Sequence, residues 1–372
     1  MPIRAANRAE AARLRAIFEA AGAQPVEAPI LLPAETLLDL YGEDIRGRAY
    51  VTSDALRGEQ MLRPDFTVPV VQMHMQHGAE PARYTYAGEV FRRQEDDPAR
   101  ANEYLQVGYE IFERSAPAAA DAEVFALIGS VLDGLPVRAA TGDIGLLTAA
   151  VAGLHTTDRR KAALMRHIWR PRRFRALIDR YSGRAPVPPT RAALLADLDP
   201  LAHAGPEIGL RSREEIGARL TALHEDAAAA PISAAELGLM DALLSVRETM
   251  TFALGHLRDI AVDMPAIAPA VARLEARAEA LAARGVDVAS LEFEASYGRT
   301  QMEYYDGFVF GFYAEGRPDL PPVATGGRYD ALTRQLGAAS GHPEREIPAV
   351  GGVVRPGLML DLREGRAQGE AA

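Results

Sequence analysis

The sequence predicts an α+β protein, with a mixed, mainly antiparallel sheet flanked by helices and interrupted by a helical insertion. Three observations carry that expectation. Residues 84–113 (YTYAGEVFRRQEDDPARANEYLQVGYEIFE) hold two aromatic and β-branched runs around a polar loop, the pattern of a long hairpin. From His155 to about Gly285 strand signals nearly vanish, and Ala, Leu and Arg recur at helical spacing. Strand character returns at Leu291 and continues to Val354. The expected organisation is a first core segment over 1–154, a helical insertion over 155–285 and a second core segment over 286–372.

Taken in order, Ala5 to Ala21 reads as a helix, with Ala11, Leu14, Ile17 and Phe18 on one face and Gly22 as its stop. Pro25 to Ile30 is extended, and its prolines suit an edge. A short helix at Ala34–Leu40 precedes two short strands, Tyr50–Thr52 and Gln60–Arg63, around a turn. A helix over Val68–His77 follows, with Thr67 as its expected N-cap and Asp65 placed to cap it or to point above the sheet. After the hairpin, helices at 118–135 and 146–154 bracket a strand at 138–142. Within the insertion, helical periods cover 161–181, 191–201, 212–228, 234–254 and 266–284, punctuated by prolines from Pro171 to Pro231. The last segment carries strands at 291–294, up to Tyr313, at 323–328 and at 349–354, with helices at 329–336 and 356–362.

Composition narrows the chemistry. The 372 residues are 48% hydrophobic and 25% charged, the balance of an ordinary globular chain. A net charge of −10 argues against gripping a phosphate backbone, so no nucleic-acid partner is expected. Lys161 is the sole lysine, which leaves almost no scope for Schiff-base or lysine general-base chemistry. Without cysteine there are no disulfides, thiolate nucleophiles or cysteine-held metals. The eight histidines show no HExxH spacing, and P-loop, GxGxxG and GxSxG signatures are absent. No metal or cofactor is expected. The N-terminus lacks a signal-peptide core and no apolar run is long enough to span a bilayer, so a cytoplasmic, membrane-free location is expected.

The candidate site lies on the hairpin. Gln106, Gly108 and Glu110 are two apart and share one strand face, where Arg92 on the neighbouring strand would join them. Such a polar floor suits a ligand with anionic and cationic ends, although cross-strand ion pairs in a half-exposed ribbon would leave the same pattern. Gly326-Gly327-Arg328 reads either as an anion cradle or as a tight turn with a surface arginine. Tyr304-Tyr305 reads as core packing or as a ligand clamp.

Together these segments resemble the catalytic domain of class II aminoacyl-tRNA synthetases, and histidyl-tRNA synthetase in particular. Residues 62–67 (LRPDFT) resemble its LRPEGT, Phe91-Arg92 and 106–110 (QVGYE) resemble motif 2, and Glu303-Tyr304-Tyr305 resembles the end of RGLDYY. Residues 325–330 (TGGRYD) resemble AGGRYDGL, and Val350-Gly351-Gly352 resembles the start of motif 3. The resemblance spans roughly Ala5 to Leu362. It implies a histidine-like pocket with Asp65 and Glu110 toward the ammonium or imidazole and Gln106 and Thr67 as hydrogen-bonding partners. Tyr304 and Tyr305 would wall the ring, and Arg92 and Arg328 would meet an anionic end.

Departures from the synthetase pattern shift the expected function. Thr300 stands where an arginine would contact the reacting groups, with Arg299 one residue out of register. Leu358 stands where motif 3 would supply its ATP-binding arginine, and no anticodon-binding domain is expected. Losing such cations typically costs several kcal/mol of transition-state stabilisation each. The combination is similar to the regulatory subunits of ATP phosphoribosyltransferase. That likeness implies no catalytic residue and no aminoacylation, and a synthetase-like dimer that pairs with a short-form catalytic subunit. It also implies histidine as feedback effector in the first step of histidine biosynthesis. A divergent enzyme activating histidine or a related acid with ATP, and a scaffold with an empty pocket, remain the alternatives.

Overall fold

The computed structural model describes residues 5–41, 45–94, 100–197, 199–202, 205, 208–299, 304–339 and 345–365. Glu95 to Ala99 of the expected hairpin loop, Pro206, Thr300 and Glu303 lie outside the described residues.

The described strands are β1 (Gln24–Pro25), β2 (Leu31–Pro33), β3 (Val51–Asp54), β4 (Gly58–Leu62), β5 (Ala82–Phe91) and β6 (Glu103–Phe112), then β7 (Val137–Asp143), β8 (Arg247–Thr249), β9 (Glu292–Glu294), β10 (Phe308–Ala314), β11 (Ala324–Arg328) and β12 (Ala349–Val354). Nine of them form one sheet in the order β1-β5-β6-β12-β11-β10-β7-β9-β8, and β2-β4-β3 form a small antiparallel sheet. Within the large sheet only the β1–β5 and β7–β9 pairs are parallel. The rest of the pairing is antiparallel, so the predicted fold class holds.

The hairpin supplies the two longest strands of this sheet, each ten residues long and paired with the other throughout. Its alternation sends successive side chains to opposite faces. On one face, Tyr109 packs against Phe18 of the Ala5–Ala20 helix. Phe308, Phe310 and Phe312 of β10 lie on Phe125 of the Pro117–Val131 helix, at centroid distances of 5.2–6.1 Å. The opposite face is roofed by the Thr67–His77 helix, where His74 stacks on Phe112. This second face carries the polar residues, which is why the sheet is not symmetrically apolar.

Segment 155–285 is mostly helical, but its end is built into the core. Three residues, β8, pair with β9 in the main sheet. They break the expected helix over 234–254 into Ala234–Ser245 and Met250–Asp263. The Ala268–Ala283 helix sends Arg277 into the core, where it bonds Asp121 and Asp143 at 2.8 Å. Local composition did not reveal this, because a three-residue strand is too short to leave a period. The expected helix over 161–181 is likewise two, Asp158–Arg166 and Pro171–Tyr181, because Pro171 has no N–H to continue the first and takes the opening turn of the second. No helix among the described residues is long and apolar enough to cross a membrane.

Candidate functional site

Glu110 is the centre of the polar face. Gly351 lies directly opposite it on β12, and a Cβ there would sit 1.3 Å from Glu110 Oε2. The carboxyl therefore lies flat over a backbone that only glycine leaves open. Gly108, two residues earlier on the same face, plays the same part for Tyr86, whose ring occupies the space a Cβ would need, 2.1 Å from Cζ. Tyr86 is held there by a stack on Phe66 at 4.3 Å.

Three hydroxyls close on the Glu110 carboxyl. Tyr86 donates to Oε1 at 2.7 Å, Tyr329 to Oε2 at 2.6 Å, and Thr67 lies 3.4 Å from Oε1. Tyr304 in turn donates to Thr67 Oγ1 at 3.3 Å, and its ring meets Tyr305 and Tyr329 edge-on. No arginine or lysine among the described residues is ion-paired with Glu110. Burial outweighs the hydroxyl bonds, and with the negative charge of nearby Asp65 it pushes the Glu110 carboxyl up to about 7. Burial beside Glu110 raises the Tyr86 and Tyr329 phenols well above their ordinary value. The group is thus a protonatable acid near neutrality that a cation would convert to carboxylate. Gln106, buried on the same face, leaves its Oε1 without a hydrogen-bond partner. An amino acid's ammonium or imidazole N–H would satisfy both needs.

The structure brings Asp65, Thr67, Gln106, Glu110, Tyr304 and Tyr305 to one side of the sheet, all of them buried. Arg92 lies just beyond β5, its Nε donating to the Pro64 carbonyl at 2.7 Å, near enough to lower the raised Tyr305 phenol slightly. Thr67 is not the N-cap. Phe66 takes that place without a side-chain bond, and Asp65 reaches the Val68 N–H only at 3.5 Å. The hydroxyl of Thr67 is committed to the pocket instead.

Arg328 does not join the site. In the β11–β12–β6 register Gly327, Gly351 and Glu110 are aligned, whereas Arg328 aligns with Val350 and Ile111 on the other face. There its guanidinium donates to Asp121 at 2.6 and 3.0 Å, to Asp330 at 3.0 Å and to the Pro117 carbonyl. Gly326-Gly327-Arg328 is a central strand, neither an anion cradle nor a turn. Tyr86 and Tyr329 are the site residues that the sequence argument missed. The signal for Tyr86 was available, since it shares parity with Gly108 and Glu110 across the hairpin.

The synthetase's motif 3 cation is not reproduced. Leu358, where motif 3 would place its arginine, is buried as an apolar residue on the Pro356–Arg363 helix. Arg299 is buried and directed elsewhere, with Nε on the Ile168 carbonyl at 2.8 Å and its guanidinium over Phe174.

Fold and site together define a class II synthetase-like protein with a buried polar centre around Glu110. Comparisons agree. The sequence profile of the histidyl-tRNA synthetase family matches residues 1–218 and 217–355. A histidyl-tRNA synthetase from Nostoc superposes with a TM-score of 0.61 at 16% identity, over 96% of this chain and 72% of that one. A Bacillus halodurans protein described as an ATP phosphoribosyltransferase regulatory subunit/histidyl-tRNA synthetase superposes with a TM-score of 0.66 at 21% identity, over 96% and 79%. Sequence similarity is more specific. The ATP phosphoribosyltransferase regulatory subunit of Brucella anthropi is 34% identical over 368 residues, covering 91% of this chain and 93% of that one, and that of Brucella ovis is 32% identical over 362 residues, covering 91% and 93%. The chain belongs to the ATP phosphoribosyltransferase regulatory subunit family, on a histidyl-tRNA synthetase-like fold.

Proposed function

We propose that this chain serves in the cytoplasm as the non-catalytic partner of a separate, short-form ATP phosphoribosyltransferase catalytic subunit, and that the Glu110 pocket is where histidine acts on the pair. One observation carries the reading: the buried Glu110 carboxyl, with Asp65 nearby, is ringed by hydroxyls and is ion-paired with no arginine or lysine among the described residues. A bound ammonium or imidazolium would supply the missing positive charge. The partner would transfer the phosphoribosyl group to ATP, and histidine would shift the complex toward a poorly active state by binding that state more tightly. Asp65 and Glu110 hold the cationic end, Thr67 and Gln106 complete its hydrogen bonds, Tyr304 and Tyr305 wall the ring, and Arg92 lies on the side of the carboxylate.

The buried Leu358 supports the absence of adenylate formation, since an aliphatic side chain supplies no charge to a triphosphate. Self-association into a dimer is supported by exposed apolar side chains on the two edge strands of the small sheet, Leu31 on β2 and Val51 on β3. In the test, phosphoribosyl-ATP formation by the purified catalytic subunit is measured with and without this chain and with added histidine. Calorimetry with histidine is run on the wild type and on Asp65→Ala. The expected result is activation by the chain, inhibition by histidine and at least about tenfold weaker binding to D65A. Histidine-dependent pyrophosphate–ATP exchange by the chain alone would overturn the reading, as would a pocket that binds no histidine with D65A silent.

A further inference from the structure

We propose that the turn Arg166–Arg173 is a docking surface for an acidic patch on the catalytic subunit, an inference that rests on the function proposed above. The chain carries a net charge of −10, yet residues 158–173 hold seven lysines and arginines against one acid, Asp158. Some of this charge is used internally. Arg159 pairs with Glu225, Arg160 with Asp226, and Lys161 donates to the Ala152 carbonyl. Arg166, Arg172 and Arg173 are exposed and have no ion-pair partner among the described residues.

Two of those three arginines stand where the chain alone would not favour them. Pro171 opens the Pro171–Tyr181 helix, whose first turn contains no acid, so Arg172 and Arg173 face the positive end of the helix dipole. The crowding is felt locally, because burial and the neighbouring Arg170, Arg173 and Arg166 hold His167 below its ordinary pKa. A carboxylate surface from outside would relieve this repulsion. Trp169, the chain's one tryptophan, lies half-buried in the same turn. Tryptophan and arginine together are the typical anchors of a protein interface. The turn is also firmly held, since Arg299 donates to the Ile168 carbonyl and lies over Phe174. The negative charge of the whole chain disfavours a polynucleotide as the occupant.

The test is the affinity of the full chain for the purified catalytic subunit, with the triple variant Arg166→Glu, Arg172→Glu, Arg173→Glu compared with wild type at several salt concentrations. Reversal is expected to weaken association by at least about tenfold at low salt and to flatten the salt dependence. It should leave the thermal midpoint unchanged or raised, because acids suit a helix N-terminus. In chain labelled with 5-fluorotryptophan, the single ¹⁹F resonance of Trp169 should move when the subunit is added. If the triple variant does not fold, the Gln counterpart at the same three positions should show a smaller loss in the same direction. Wild-type association with an unchanged triple variant overturns this inference and leaves the proposed function standing. No association of wild type overturns both. A single-stranded oligonucleotide that binds wild type but not the triple variant, with subunit affinity unaffected, overturns the choice of a protein partner.

Discussion

Replacing Glu110 with glutamine should change stability in opposite directions on the two sides of neutrality. In the fold, Glu110 titrates at about 7 against an ordinary 4.5. Its proton is therefore held more tightly in the folded state than in the unfolded chain. The associated stability is fully present below about 4.5 and is lost as pH rises through about 7, a cost on the order of 3 kcal/mol at pH 8. Glutamine has no such titration, but it has a single acceptor oxygen for the two phenols of Tyr86 and Tyr329. Leaving one buried hydroxyl unsatisfied costs about 1–3 kcal/mol at every pH. E110Q should thus be less stable than wild type at pH 5 by roughly that amount, and equal to it or more stable at pH 8. Urea unfolding of both proteins from pH 5 to 8.5 provides the assay, and the difference between them removes other groups such as Asp306, which burial and Asp330 also push up to about 7. A difference that stays constant within about 0.5 kcal/mol across that range would refute the reasoning, since it would mean that Glu110 does not titrate near neutrality.

Gly351→Ala should be strongly destabilising and should abolish histidine binding, because the new methyl would sit on Glu110 Oε2. About 2–3 kcal/mol in urea unfolding is expected, read alongside calorimetry. Arg328→Met should cost about 3–5 kcal/mol by leaving Asp121 and Asp330 underpaired in the core, and a loss below about 1 kcal/mol would show that Arg277 compensates alone. His74, stacked on Phe112 and desolvated, should titrate near 4. Its contribution is present above its ordinary 6.5 and lost as pH falls toward 4, so nitrogen-15 NMR should find a neutral imidazole at pH 5.

The sequence alone was enough for the α+β class, the long hairpin, most helix positions and the order of the synthetase-like motifs. Each of these follows from local period and turn chemistry, which a linear string records directly. It also indicated that Gln106 and Glu110 share a face, because strand parity is local to a strand. Tertiary structure was required wherever a residue's role depends on a neighbour in another strand. Arg328 and Gly327 are one residue apart, and only the β11–β12–β6 register shows that the glycine lies beneath Glu110's side of the sheet while the arginine pairs with Asp121 behind it. Tyr86 and Tyr329 became ligands of Glu110 for the same reason, since cross-strand alignment brings together residues 24 and 219 positions away from it. The three-residue β8 and the core contacts of Arg277 were hidden because pairing partners, rather than composition, make a strand that short. A carboxyl's acidity is the last thing a string can give. Glu110 is an ordinary glutamate by type, and burial beside Asp65 is what makes it a neutral-pH acid.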